Sequence, residues 1–150
     1  IYIEPDEIVN NIHDLIEYKI NEKYEKTCNK DYGYILKIEN VEKNYTNIVN
    51  TIGNGEILFK VYFICLVLKP TKGMTLSGKI YMIFRHGIFA NIDQIKILIP
   101  VSKLNKWTFE KDQFIKDDKI LKIGDVININ ISEIRYEKKN FSCIGTLYEN

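Results

Sequence analysis

One proline divides this chain. Pro70 follows a near-continuous apolar stretch, residues 57–68, that reads as a single long strand, and Gly73 and Gly78 bracket the start of the next one. Proline has no N–H to give to a sheet ladder, so the first strand has to stop there. Beyond it, Met74, Leu76, Ile80, Met82 and Phe84 occupy even positions while Thr75, Ser77, Lys79, Tyr81 and Arg85 occupy odd ones. That alternation predicts a half-buried strand over 74–84 with its even residues inward. Gly73 and Gly78-Lys79 also have the G-x-x-x-x-G-K spacing of a phosphate-binding loop, but that loop needs a Ser or Thr next and a helix behind it. Ile80 stands at the hydroxyl position and the following residues alternate as a strand, so no nucleotide site is expected.

A chain of 150 residues holds one ordinary domain or two small ones, each with a modest core. Its 45% apolar and 27% charged content is that of a soluble globular protein. Cys28, Cys65 and Cys143 show no C-x-x-C spacing, which argues against a disulfide framework and a zinc site and for a reducing compartment. His13, with no second ligand nearby in the sequence, reads as a surface residue. No apolar run approaches the ~20 residues of a membrane helix, so no membrane span is expected. No signal-peptide pattern opens the chain, and the absence of an initiator Met suggests residues ahead of Ile1. The net charge of +1 conceals an asymmetry: residues 1–70 carry 8 Lys+Arg against 11 Asp+Glu, and residues 71–150 carry 13 against 9. The acidic half and the basic half are expected to meet different partners.

In order, Pro5 among Glu4, Asp6 and Glu7, followed by Ile8, Ile12, Leu15, Ile16 and Ile20, predicts an amphipathic helix to about Tyr24. A strand over 32–38 and a polar loop over 39–50 follow. Gly53-Asn54-Gly55 then makes a tight turn into the long strand, and residues 1–70 form a compact helix-plus-antiparallel-sheet domain. Residues 71–150 show strands near 74–84, 87–92 and 96–99, then a long loop, 101–124, whose Trp107, Phe109 and Phe114 pack it down as a lid. Strands near 126–134 and 141–147 complete a set of five. Five short strands with a long connection before the fourth predict an OB-type β-barrel, and the whole chain is α+β.

The residues resemble a family, the seventh subunit of RNA polymerase II and its archaeal counterpart, which form the larger half of the polymerase stalk. The likeness covers nearly the whole chain and rests on Tyr24-Glu25-Lys26-Thr27-Cys28, Tyr32-Gly33-Tyr34-Ile35, Gly53-Asn54-Gly55 and the join from Phe59 to Lys72-Gly73. In the second half it rests on Gly78, His86-Gly87-Ile88-Phe89-Ala90, Ile99-Pro100-Val101-Ser102 and Phe141-Ser142-Cys143-Ile144-Gly145-Thr146-Leu147, which look like the ribosomal S-one type of OB fold. Two departures stand out. Only Ile1 to Ile3 remain of the strand with which the family opens, and His86 stands where the S-one pattern often has an aromatic.

The resemblance implies a stalk subunit whose tip domain docks on the core polymerase through Gly33 and Gly53, Asn54 and Gly55. It also implies a smaller helical stalk subunit as partner, beside the join of the domains. The apolar strand that ends at Leu68 suggests the same partner independently, because a domain of ~70 residues cannot readily cover both faces. On the barrel, Lys79, Tyr81, Arg85, His86, Phe89 and Lys103 interleave rings with cations, a pattern suited to weak, sequence-tolerant contact with single-stranded RNA. No metal site, cofactor or catalytic residue is expected: there is no G-x-S-x-G elbow, and Asp117-Asp118 lies in a charged loop. The alternatives are a freestanding OB-fold RNA-binding or translation-associated protein and a pure assembly subunit without RNA contact. The compartment implied is the nucleus, or the cytoplasm or virion for a viral polymerase.

Overall fold

The computed structural model describes residues 1–7, 11–43, 46–49 and 55–149, with only the backbone of 46–49. It divides into two units, Ile1–Thr27 with Ile35–Leu68, and Cys28–Tyr34 with Lys69–Asn150.

In the first unit, strand β1 (Tyr2–Ile3) precedes a 3-10 turn, Pro5–Glu7, and helix α1 (Ile12–Tyr24). The helix predicted from Pro5 thus begins at Ile12, because Asn11 caps it: its side chain accepts from the Asp14 N–H at 3.3 Å, leaving Pro5 in a separate turn. Ile8 lies outside the described residues. The remnant strand at the start of the chain is real, since β1 pairs antiparallel with β5 (Ile57–Lys60), whose other edge takes β4 (Thr46–Val49). Strand β3 (Gly33–Val41) and strand β6 (Phe63–Leu68) lie side by side in a second sheet. Ile16 and Ile20 of α1 meet Ile3, Ile35, Ile38, Val41 and Phe59 in the core.

Two expectations are corrected here. The long strand over 57–68 is two strands broken at Val61-Tyr62, because the chain leaves one sheet and enters the other at that point. The polar loop expected over 39–50 contains the end of β3 and all of β4, whose Thr-Asn-Ile-Val sequence has the branched side chains that favour strands. Of β6, Ile64 and Leu66 are 54% and 49% exposed, so its two faces are unequally covered within the chain.

In the second unit, β2 (Cys28–Asn29) pairs with the first residues of β3. Lys69 Nζ donates to the Asp31 carbonyl at 2.7 Å and Tyr136 Oη to that of Cys28 at 3.4 Å, so this hairpin is grouped with the barrel that follows. The barrel comprises β7 (Thr75–Phe84), β8 (Gly87–Ile92), β9 (Ile95–Pro100), β13 (Val126–Glu137) and β14 (Asn140–Leu147). It closes in the order β13-β14-β9-β8-β7, with a parallel seam between β14 and β9. The fold is α+β, a helix with antiparallel sheets ahead of a five-stranded OB-type barrel. Gly78 is a buried residue of β7; a Cβ there would lie 3.3 Å from Ala90 Cβ and 3.4 Å from the Asn91 carbonyl. It serves close strand packing, and the phosphate-loop spacing is coincidental.

The expected lid over 101–124 is mostly regular structure. A 3-10 turn, Val101–Lys103, leads into a three-stranded meander, β10 (Thr108–Glu110), β11 (Gln113–Lys116) and β12 (Lys119–Leu121). Its two hairpins turn over two residues each, with Lys111, Asp112 and Asp117 at positive φ. Phe114 is fully buried, with the Phe109 ring at 5.4 Å, while Trp107 Nε1–H donates to Glu149 at 3.0 Å.

Candidate nucleic-acid interface

The geometry of this face follows from one extra residue in β7. Between Ile80 and Met82 the register with β8 slips, a bulge that places Tyr81 outside the regular ladder. Side-chain parity therefore inverts: Ile80 and Ile83 are the buried residues, and Met82 is 46% exposed. The prediction that Met82 and Phe84 face the core is corrected, because the alternation it relied on does not survive a bulge.

The consequence is a platform of rings. Phe89, on β8, stacks on Tyr81 with centroids 5.9 Å apart and on Phe84 at 5.5 Å, and His86 meets the edge of Phe84 at 5.9 Å. His86 sits with Arg85 in the two-residue turn before β8 rather than on that strand, and its carbonyl accepts from the Val101 N–H at 2.8 Å. Partial burial pushes the Tyr81 hydroxyl up from its ordinary pKa, so it remains a neutral donor. Lys79 is exposed just upstream of the bulge, with Asn91 as its cross-strand neighbour.

Of the six barrel residues singled out from the sequence, Tyr81, His86 and Phe89 thus join one cluster through Phe84. Lys79 and Arg85 are exposed on the strand and turn that carry it. Lys103 is exposed in the 3-10 turn and lines a different groove, with Trp107, Leu147 and Glu149. Phe84 is the residue that sequence reasoning missed. The available signal was the unbroken run Ile80-Tyr81-Met82-Ile83-Phe84, since five consecutive apolar residues cannot all face inward from one regular strand.

In the remaining candidate set, Gly33 has φ 99° and pairs with Asn29 in the hairpin grouped with the barrel, while Gly55 has φ 78° and belongs to the other unit. Gly53 and Asn54 lie outside the described residues. Among the described residues there is no group of three or more His, Cys, Asp or Glu placed to hold a metal ion. Asp117 and Asp118 occupy the β11–β12 turn.

Comparison with known proteins bears on both units. Residues 1–59 match the SHS2 domain found in N terminus of Rpb7p/Rpc25p/MJ0397, and residues 69–143 match the S1 RNA binding domain. Among full-length relatives, DNA-directed RNA polymerase II subunit RPB7 of Glycine max is 24% identical over 87% of this chain and 68% of its own length. DNA-directed RNA polymerase subunit Rpo7 of Saccharolobus solfataricus is 22% identical over 88% and 76%. The rpb7 subunit of RNA polymerase II from Schizosaccharomyces pombe is 22% identical over 99% and 90%. With an SHS2 domain ahead of an S1 barrel, and a likeness to such relatives that runs along nearly its whole length, this chain belongs to the Rpb7-like family of RNA polymerase stalk subunits.

Proposed function

We propose that this stalk subunit is non-catalytic, that it docks on the polymerase core through its N-terminal half, residues 1–70, and that its barrel contacts nascent single-stranded RNA. The ring platform of Tyr81, Phe84, His86 and Phe89 carries the RNA reading. Unstacked bases stack on such rings at ~1–3 kcal/mol each, and Lys79 and Arg85 beside it neutralise phosphates. Lys103, set apart on its turn, contributes only longer-range attraction. The docking contact is assigned to Gly33 and to Gly53, Asn54 and Gly55, where a chain able to take positive φ presents its backbone closely to a partner. Relatives named as polymerase II subunits support a nuclear location; they are cellular proteins and lend nothing to a virion.

The smaller helical subunit is assigned to the face of β6 on which Ile64 and Leu66 are exposed, since apolar rows of this kind mark partner surfaces. Affinity purification of the tagged chain from its own cells tests the assembly. Large polymerase subunits together with a small helical protein are the expected companions, whereas ribosomes would sink the proposal in favour of a translation-associated barrel. Purified alone, the chain should bind a hydrophobic dye, and Ile64→Lys should reduce that binding and abolish recovery of the small subunit.

A further inference from the structure

Strand register extends the barrel face well beyond the rings. Lys79 of β7 is opposite Asn91 of β8, Asn91 opposite Lys96 of β9, Lys96 opposite Ser142 of β14, and Ser142 opposite Arg135 of β13. Directly opposed residues share a face of the sheet. The neighbouring register gives a second row, Met82, Phe89, Leu98, Ile144 and Glu133, across the same five strands. Between the rows lie Ala90, Ile97 and Cys143, all buried, which fixes both rows on the outside. One row is therefore cationic and polar, with Lys79, Lys96 and Arg135 spaced every second strand, roughly 10 Å apart. The other is aromatic and apolar until it meets a carboxylate.

Where the rows cross β9, β14 and β13 they line a groove of about 370 Å³ that includes Phe89, Lys96, Leu98, Glu133, Arg135 and Ser142. That volume falls in the ~300–1,000 Å³ range of ligand clefts. Resting on the RNA reading above, we propose that this groove is a base-selective subsite. A strand crossing the barrel lays its phosphates along Lys79, Lys96 and Arg135 and its bases along Phe89, Leu98 and Ile144, so the base reaching the groove presents its pairing edge to Glu133. An ionised carboxylate only accepts hydrogen bonds. Cytosine, adenine and guanine offer it an amino group, whereas uracil offers a single ring N–H flanked on both sides by carbonyl oxygens that repel the carboxylate. The subsite thus favours an amino-bearing base and disfavours uracil, which adds a preference to otherwise sequence-tolerant binding.

The test is fluorescence titration of the full chain with labelled oligocytidine and oligouridine of equal length at matched salt, two pyrimidines that differ chiefly at this edge. Oligocytidine should bind about tenfold more tightly, the scale of one base-edge contact, and Glu133→Gln, whose amide donates as well as accepts, should bring the ratio close to one by raising oligouridine affinity. Equal wild-type affinities, with binding that still falls in Phe89→Ala, overturn the subsite and leave the barrel reading intact. A preference that survives Glu133→Gln overturns it as well. Failure to bind either oligonucleotide overturns both readings. Crosslinks from a probe at position 133 that reach polymerase polypeptides and never RNA would assign the groove to a protein and remove the proposal.

Discussion

Phe89 packs against two rings, Tyr81 and Phe84, and is half-buried. Replacing it with Ala should lower RNA affinity by about 1–3 kcal/mol, the worth of one base stacked on an aromatic ring. Lys79→Ala or Arg85→Ala should instead weaken all sequences alike and reduce the salt slope by about one phosphate each. Titration with a short oligonucleotide at two salt concentrations separates these effects, and equal affinity of all variants would leave the barrel a structural arm. Cys143 shows the opposite use of burial. Its position inside the barrel wall pushes the thiol up to about 11 from an ordinary 9.0, so the folded chain keeps a proton that the unfolded chain releases. That contribution to stability is complete below about pH 9 and declines as pH rises toward 11. Alkylation at pH 8 followed by mass spectrometry should therefore leave Cys143 unmodified until denaturant is added; rapid labelling of the native chain would contradict its placement.

At the scale of elements, α1 and the five barrel strands were legible in the sequence because each carries its own period and punctuation. Helix α1 combines apolar residues at helical spacing with an end at Tyr24, and the barrel strands alternate between turns rich in Gly, Asp, Asn and Lys. What was not legible came from tertiary causes. The break at Val61-Tyr62 separates two sheets while the local sequence, Lys60 apart, remains apolar. The β10–β12 meander was hidden because three- and four-residue strands are too short to declare a period. The candidate RNA face was half legible: its rings were found, but their phase was set by a bulge that pairing with β8 reveals. The cap of α1 gives a direct check on the revised helix start. Asn11→Ala should cost about 1 kcal/mol in urea unfolding, and no change would mean that the first turn is held by something other than that side chain.

At the scale of the molecule, the acidic unit and the basic barrel are assigned to different tasks, and substitutions should separate them. Val at Gly53 and Gly55 penalises positive φ, which Gly55 adopts at 78°. Recovery of core polymerase should fall in this variant while the thermal transition of the barrel unit and RNA affinity hold. Normal assembly would remove the docking assignment. For the intact chain, two to four neutralised phosphates on a single strand should give a log–log salt slope of roughly −1.5 to −3 in titrations at several salt concentrations. The bulge at Tyr81 has one more consequence, which concerns descent. A strand whose outward face depends on a single supernumerary residue is sensitive to the loss or gain of one codon. Loss of Tyr81 would leave a regular ladder with Met82 still opposite Phe89, so the platform would lose one ring while Phe84 and Phe89 kept their outward places. Within this lineage, a deletion at Tyr81 is therefore a route by which a barrel could trim its candidate RNA face in a single step, a change that a comparison of residue types alone would pass over.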